Sequence, residues 1–271
     1  SNQSQEDSSD SFQDDFGYKT GTNFAFDAEQ KSQNNSGAKS SCKRFSLKQG
    51  RYTRMQSEFI EEMRYLSKLR HPCITTVMGA VISSKSEPML VMEYMQLGSL
   101  YDLLHNESMV LEGELVLQIL RDIAQGLRFL HTATPKVVHG DLKAHNVLVD
   151  SKFHAKVADF GLSQKSQSQR SGTPLWMAPE LLRGETSNTS SSDMYSFGII
   201  MYEVFSRKDP YEGEDHMEAL RQIVDKDINK RPPVPPSCPL EAAELMKNCL
   251  QGQPADRPSA GDVDETLKLM D

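Results

Sequence analysis

The stretch Val137–Gly161, VVHGDLKAHNVLVDSKFHAKVADFG, sets two acidic residues, Asp141 and Asp159, in separate polar frames. The first frame is His139-Gly140-Asp141-Leu142-Lys143-Ala144-His145-Asn146, and the second is Asp159-Phe160-Gly161. Between them lie two short apolar runs, Val147-Leu148-Val149 and Ala155-Lys156-Val157-Ala158, split by Asp150-Ser151-Lys152. That alternation reads as strand, turn, strand, with a polar loop on each flank. One hairpin then presents Asp141, Lys143 and Asn146 before its first strand and Asp159 just past its second.

Phosphoryl transfer is the chemistry that wants this set. It offers a protein little covalent work, so catalysis comes from positioning and from stabilising charge. A carboxylate has to orient the attacking hydroxyl and take its proton, and Asp141 is placed for that. A second carboxylate and a neutral oxygen suit Mg²⁺, a hard cation that demands oxygen ligands; Asp159 and Asn146 supply them. Lys143, beside the base, can neutralise the transferring phosphate. Any one of these residues alone is more often a turn or surface residue, and the weight lies in four of them in register.

On these residues the chain resembles the protein-kinase catalytic loop and Asp-Phe-Gly signature. The resemblance implies a bilobal α+β fold, a small β-rich N-lobe and a larger helical C-lobe, with ATP and Mg²⁺ as cofactors and protein substrates as partners. Domain bounds follow: residues 1–40 a disordered or degenerate N-terminal segment, 41–95 the N-lobe and hinge, 96–271 the C-lobe. The motifs VMGA, MEYMQLGSLYDLLH, HGDLKAHN and SGTPLWMAPE resemble the tyrosine-kinase-like group of Ser/Thr kinases, in the manner of Raf and mixed-lineage kinases.

The same resemblance assigns further residues. Lys43, in Ser-Ser-Cys-Lys-Arg-Phe, stands where a lysine pairs with the ATP phosphates. Met55–Leu69 reads as a helix with Phe59, Met63 and Leu66 on one face, and Glu62 is its choice for the ion pair with that lysine, with Glu58 one turn away. Met92 becomes the gatekeeper, the Glu93 carbonyl and the Met95 amide the adenine contacts, and Leu148 a cofactor-binding residue. His139 becomes a packed structural histidine. Asp193 is expected to hold the catalytic-loop backbone and Arg257 to pair with Glu180. Lys143 with Thr173 resembles the Ser/Thr pattern. Gly140 stands where many kinases carry an arginine that meets a loop phosphate, so dependence on loop phosphorylation should be weaker. Ser166, Ser168 and Ser171 are candidate phosphosites.

The chain also departs from the pattern. Phe16-Gly17-Tyr18-Lys19-Thr20-Gly21 lies roughly where a G-x-G-x-x-G loop should cover the phosphates, and its two glycines lack that spacing. The alternative reading is therefore a pseudokinase, a nucleotide-binding or scaffolding regulator.

The remaining elements follow local pattern. Arg70-His71-Pro72 stops a helix, since Pro cannot continue one. Ile74–Ile82 and Met89–Met92 read as strands, and Ser99 as the cap of a short helix at Leu100. Leu115, Ile119, Ile123 and Leu127 mark an amphipathic helix over Leu111–His131. Asp193–Val204 is apolar nearly all round and should be buried. Helices are expected near Leu240–Leu250 and Gly261–Met270.

Composition bounds the rest. The 271 residues suffice to bury a sizeable core, and the net charge of −8 comes with no Lys/Arg block, against a nucleic-acid surface. The four cysteines lack metal-ligand spacing and suggest a reducing, cytoplasmic setting. No apolar run is long enough to span a bilayer and no signal peptide is visible. The chain begins at Ser1, as expected of a piece of a larger protein.

Overall fold

The structure, a computed structural model, describes residues 40–44, 67–81, 89–111, 113–160 and 173–270. β1 (Ser40–Arg44), β2 (Val77–Val81) and β3 (Met89–Glu93) form an antiparallel sheet in the order β1-β3-β2. β3 alternates, with Leu90 and Met92 buried and its other residues partly exposed, as a strand covered on one face does. A second antiparallel sheet, β4 (Gly98–Ser99), β5 (Val147–Val149) and β6 (Ala155–Val157), contains the expected hairpin.

The longer elements among the other described residues are helices: α1 (Leu100–Leu104), α2 (Glu114–Thr132), α3 (Pro179–Leu182), α4 (Ser190–Ser206), α5 (His216–Val224), α6 (Leu240–Cys249) and α7 (Ala260–Lys268). This is the bilobal α+β architecture implied by the sequence. Ser99 caps α1 as expected, accepting from the Asp102 N–H while Asp102 returns a bond to Ser99, a closed capping box. α4 opens on a second box, Thr189 with Ser192, and is buried from Ser192 to Val204. Its near-uniform apolarity therefore marks the centre of the helical region. No helix among the described residues is long and apolar enough to cross a membrane.

The structure moves several local boundaries. The strand expected over 74–82 begins only at Val77. Ile74 instead makes a parallel bridge to Val157, and the Thr75 N–H donates to the Val157 carbonyl at 3.0 Å. Backbone groups that pair with β6 cannot also serve the first sheet. Ser67–Leu69 is not helical, so the helix expected through Leu69 does not reach it; residues 55–66 lie outside the described residues. On α2, Leu115 is 36% exposed while Val116 takes the inward position, because at 3.6 residues per turn Val116 falls within the arc of Ile119, Leu120, Ile123 and Leu127 and Leu115 falls outside it.

α2 lies against β6 at close range. A Cβ on Gly126 would sit 2.7 Å from the Cys73 carbonyl oxygen and 3.0 Å from Val157 Cγ2. Glycine in a helix interior costs about 1 kcal/mol against alanine, and here the close backbone approach requires it. Beside it, the buried Asp122 Oδ2 accepts the Ala155 N–H at 2.9 Å and holds the start of β6. We expect Gly126→Ala to lower stability by about 1–3 kcal/mol despite its better helix propensity, read as a fall in the urea midpoint without change in m. A neutral or stabilising result would show that the helix can retreat freely.

Candidate active site

The loop before β5 is fixed from below by α4. Asp193 is 1% exposed and its carboxylate receives three hydrogen bonds: from His139 N–H at 2.8 Å, Gly140 N–H at 2.9 Å and His131 Nε2 at 2.8 Å. The expected role of Asp193 toward the loop backbone is thus seen directly. It lies one turn inside α4 rather than at its first residue.

His139 is fully buried with both ring nitrogens engaged. Nε2 faces the Ala158 carbonyl at 2.9 Å, which only an N–H can satisfy, and Nδ1 then accepts the Asp141 N–H at 3.3 Å. One neutral tautomer satisfies both contacts and ties the loop to the residue before Asp159. The Ala158 N–H also donates to the Asn146 carbonyl at 2.9 Å. Asp141, Asn146 and Asp159 are therefore drawn together through backbone bonds. Asp159 itself has φ +61°, a left-handed conformation that asparagine and aspartate tolerate better than most residues.

The Asp141 carboxylate is the centre of the cluster. Oδ1 accepts from the Thr173 N–H at 3.0 Å and from its hydroxyl at 3.1 Å. Oδ2 is held more loosely, by Asn146 Nδ2 at 3.3 Å and by Lys143 Nζ at 3.4 Å. Lys143 Nζ donates to Thr173 Oγ1 at 2.6 Å, so the threonine hydroxyl relays between ammonium and carboxylate. Asn146 Nδ2 also donates to the Asp141 carbonyl at 2.7 Å. With its NH₂ spent there, Asn146 keeps an oxygen for a ligand. Among the described residues no group of three or more His, Cys, Asp or Glu could hold a metal alone. One amide oxygen and one carboxylate fit Mg²⁺, which normally takes one or two carboxylates and completes its shell with water and substrate phosphates.

Residues close to Asn146 and Asp159 in the chain contribute to a small apolar floor. Met95, Leu148 and Ala158 form a small buried group apart from the main core, and Met92 is 3% exposed in β3. Glu93 ends β3 with its side chain engaged, Oε1 accepting the Thr76 N–H at 2.6 Å and Oε2 the Lys156 ammonium at 2.7 Å. Lys43 sits in β1 opposite Leu90. Glu62 and Glu58, Gly161, Ser166, Ser168, Ser171 and the segment 16–21 lie outside the described residues.

On the other side, the 173–180 segment is anchored by groups the sequence analysis only partly assigned. Arg257 and Glu180 form a buried two-pronged pair, both N–O distances 2.8 Å, as expected. Glu203 on α4 was missed. It is 1% exposed; Trp176 Nε1 donates to its Oε2 at 2.9 Å, and among the described residues Oε1 has no hydrogen-bond partner. Burial pushes its carboxyl up to about 8, against the indole N–H of Trp176 and the Ala144 N–H, which favours the charged form without closing a bond of good geometry. The available signal was a lone carboxylate inside the helix Met194–Val204. Tyr101 was also missed; its ring stacks on His145 at 3.7 Å and braces the loop from α1.

A family profile described as protein tyrosine and serine/threonine kinase matches residues 26–267, and the chain belongs to that family. It is a protein kinase domain. It is similar to "Probable serine/threonine-protein kinase drkB" of Dictyostelium discoideum, 38% identical over 218 residues that cover 79% of this chain and 31% of the relative. It is likewise similar to drkA of the same organism, named in the same terms, at 37% over 218 residues, 79% of this chain and 33% of the relative. "Dual specificity protein kinase shkC", also of Dictyostelium discoideum, is 36% identical over 219 residues, 78% of this chain and 43% of the relative. The chain thus spans about a third of the first two relatives.

The raised Glu203 carboxyl has a consequence for stability. Between an unfolded value near 4.5 and a folded value of about 8, the folded state holds a proton that the unfolded chain has released. Stability from this group is then complete below about pH 4.5 and falls as pH rises toward 8, at up to about 1.4 kcal/mol per pH unit. Glu203→Gln should flatten that slope in chemical denaturation run from pH 5 to pH 8.5. An unchanged slope would show that Glu203 stays ionised.

Proposed function

We propose that the chain is the catalytic domain of a Ser/Thr protein kinase that transfers the γ-phosphoryl group of ATP, with Mg²⁺, to hydroxyls of protein substrates. The observation that carries the reading is the Asp141 carboxylate, oriented by Thr173, Lys143 and Asn146 at hydrogen-bonding or ion-pair distance. Oδ2 of Asp141, the more loosely held oxygen, takes the proton of the incoming hydroxyl. Lys143 offsets negative charge beside it, and Thr173 keeps the ammonium and carboxylate in register.

When bound, Mg-ATP supplies the activated phosphoryl group and a metal that neutralises phosphate charge. Asn146 and Asp159 would hold that metal, and Lys43, paired with Glu62, would orient the phosphates. The Glu93 carbonyl and Met95 N–H would receive the adenine edge, with Met92, Leu148 and Ala158 as apolar walls. The lobes are assigned to 41–95 and 96–271, with 1–40 an N-terminal segment outside them. Motif content favours the Raf and mixed-lineage type of kinase, a signalling role and a cytoplasmic setting within a larger protein. The names of the relatives, two Ser/Thr and one dual specificity, support a hydroxyl-acceptor kinase.

A second reading, a pseudokinase acting as a nucleotide-binding or scaffolding regulator, is favoured by the absent G-x-G-x-x-G spacing at 16–21. Labelled-phosphate transfer from Mg-ATP to a generic Ser/Thr protein substrate separates the two. The wild type should transfer, and Asp141→Asn should lower the rate by about 10²–10⁴-fold. Asp159→Ala should abolish the Mg²⁺ dependence of nucleotide binding. A folded wild-type chain that binds nucleotide without Mg²⁺ and transfers nothing would establish the scaffold reading instead.

A further inference from the structure

Glu93 does more than end a strand. Its N–H donates to the Thr76 carbonyl at 3.1 Å while its Oε1 accepts the Thr76 N–H at 2.6 Å, so both backbone groups of Thr76 are closed by one residue. Its other oxygen reaches 2.7 Å to Lys156 Nζ, across the boundary from the first sheet to the second. Lys156 is directly opposite Leu148 in the β5–β6 register. Residues opposed in an antiparallel pair project from the same face, so Lys156 emerges beside the leucine of the apolar floor and three residues before Asp159. The pair is only part-exposed, 19% for Lys156 and 26% for Glu93. Two residues beyond Glu93, Met95 packs on Leu148 and Ala158.

We propose that Lys156 is a positioning residue for the nucleotide, acting through the Glu93 carboxylate. The ion pair sets the spacing between the β3 end, whose backbone would receive the adenine edge, and the floor formed by Leu148 and Ala158. Lys156 touches no reacting group, so its loss should weaken nucleotide binding and leave the chemical step largely intact. The inference rests on the kinase reading above, and it makes nucleotide affinity depend on a lysine outside the phosphate-binding set.

The test is steady-state kinetics and direct titration of the 271-residue chain with Mg-ATP, using Lys156→Met, Lys156→Arg and Glu93→Gln. Lys156→Met should raise KM for ATP by about fivefold or more, the lower end of ordinary coupling between sites, with kcat within about twofold and KM for the protein substrate unchanged. Lys156→Arg should restore the wild-type KM. Combining Lys156→Met with Glu93→Gln should add little to either single change, since each breaks the same pair. Wild-type ATP affinity in a folded Lys156→Met protein would overturn the proposal alone. So would an equal loss in kcat, or full additivity in the double variant. If Lys156→Met fails to fold, wild-type affinity in Glu93→Gln is the overturning result. A wild-type chain that bound no Mg-ATP would overturn the nucleotide reading, and this inference with it.

Discussion

A buried carboxylate holds the site together. Asp193 is removed from water within a helix that is buried from Ser192 to Val204, and a charge there is tolerable only when fully hydrogen-bonded. The loop supplies two of the bonds through backbone N–H groups, and the imidazole of His131 at the end of α2 supplies the third. Hydrogen bonds to a charged group contribute about 1.5–3 kcal/mol each. The loop conformation is thus dictated by the helix beneath it, and Asp141 is aimed by a residue 52 positions later in the chain.

His139 carries that constraint onward. One end of its ring meets the Asp141 backbone and the other the Ala158 carbonyl, so the position of Asp159 follows from that of Asp141. Asp141 and Asp159 thus share one frame, built from the His139 ring and main-chain contacts.

Thr173 closes the arrangement from the other side. Its backbone and hydroxyl grip Asp141 while Lys143 grips the same hydroxyl. The segment that carries it is in turn anchored by Trp176 on Glu203 and by Glu180 on Arg257. Every anchor is a buried polar contact to the helical region.

What the sequence by itself determined is local. The β5–β6 hairpin, the cap at Ser99, the amphipathic α2 and the buried α4 were legible because period, turn residues and capping chemistry act within a few residues. The order Asp141, Lys143, Asn146, Asp159 was legible for the same reason, since one hairpin carries all four. The partners of Asp193 and Arg257 were foreseen only through family resemblance; no spacing in the chain announces them. The rest required the tertiary structure: the Glu93–Lys156 pair, the Trp176–Glu203 contact, the stacking of Tyr101 on His145 and the early pairing of Ile74 with Val157. Each joins residues between 27 and 83 positions apart, where chain connectivity gives no hint of neighbourhood and only packing of distant elements decides which polar group finds which.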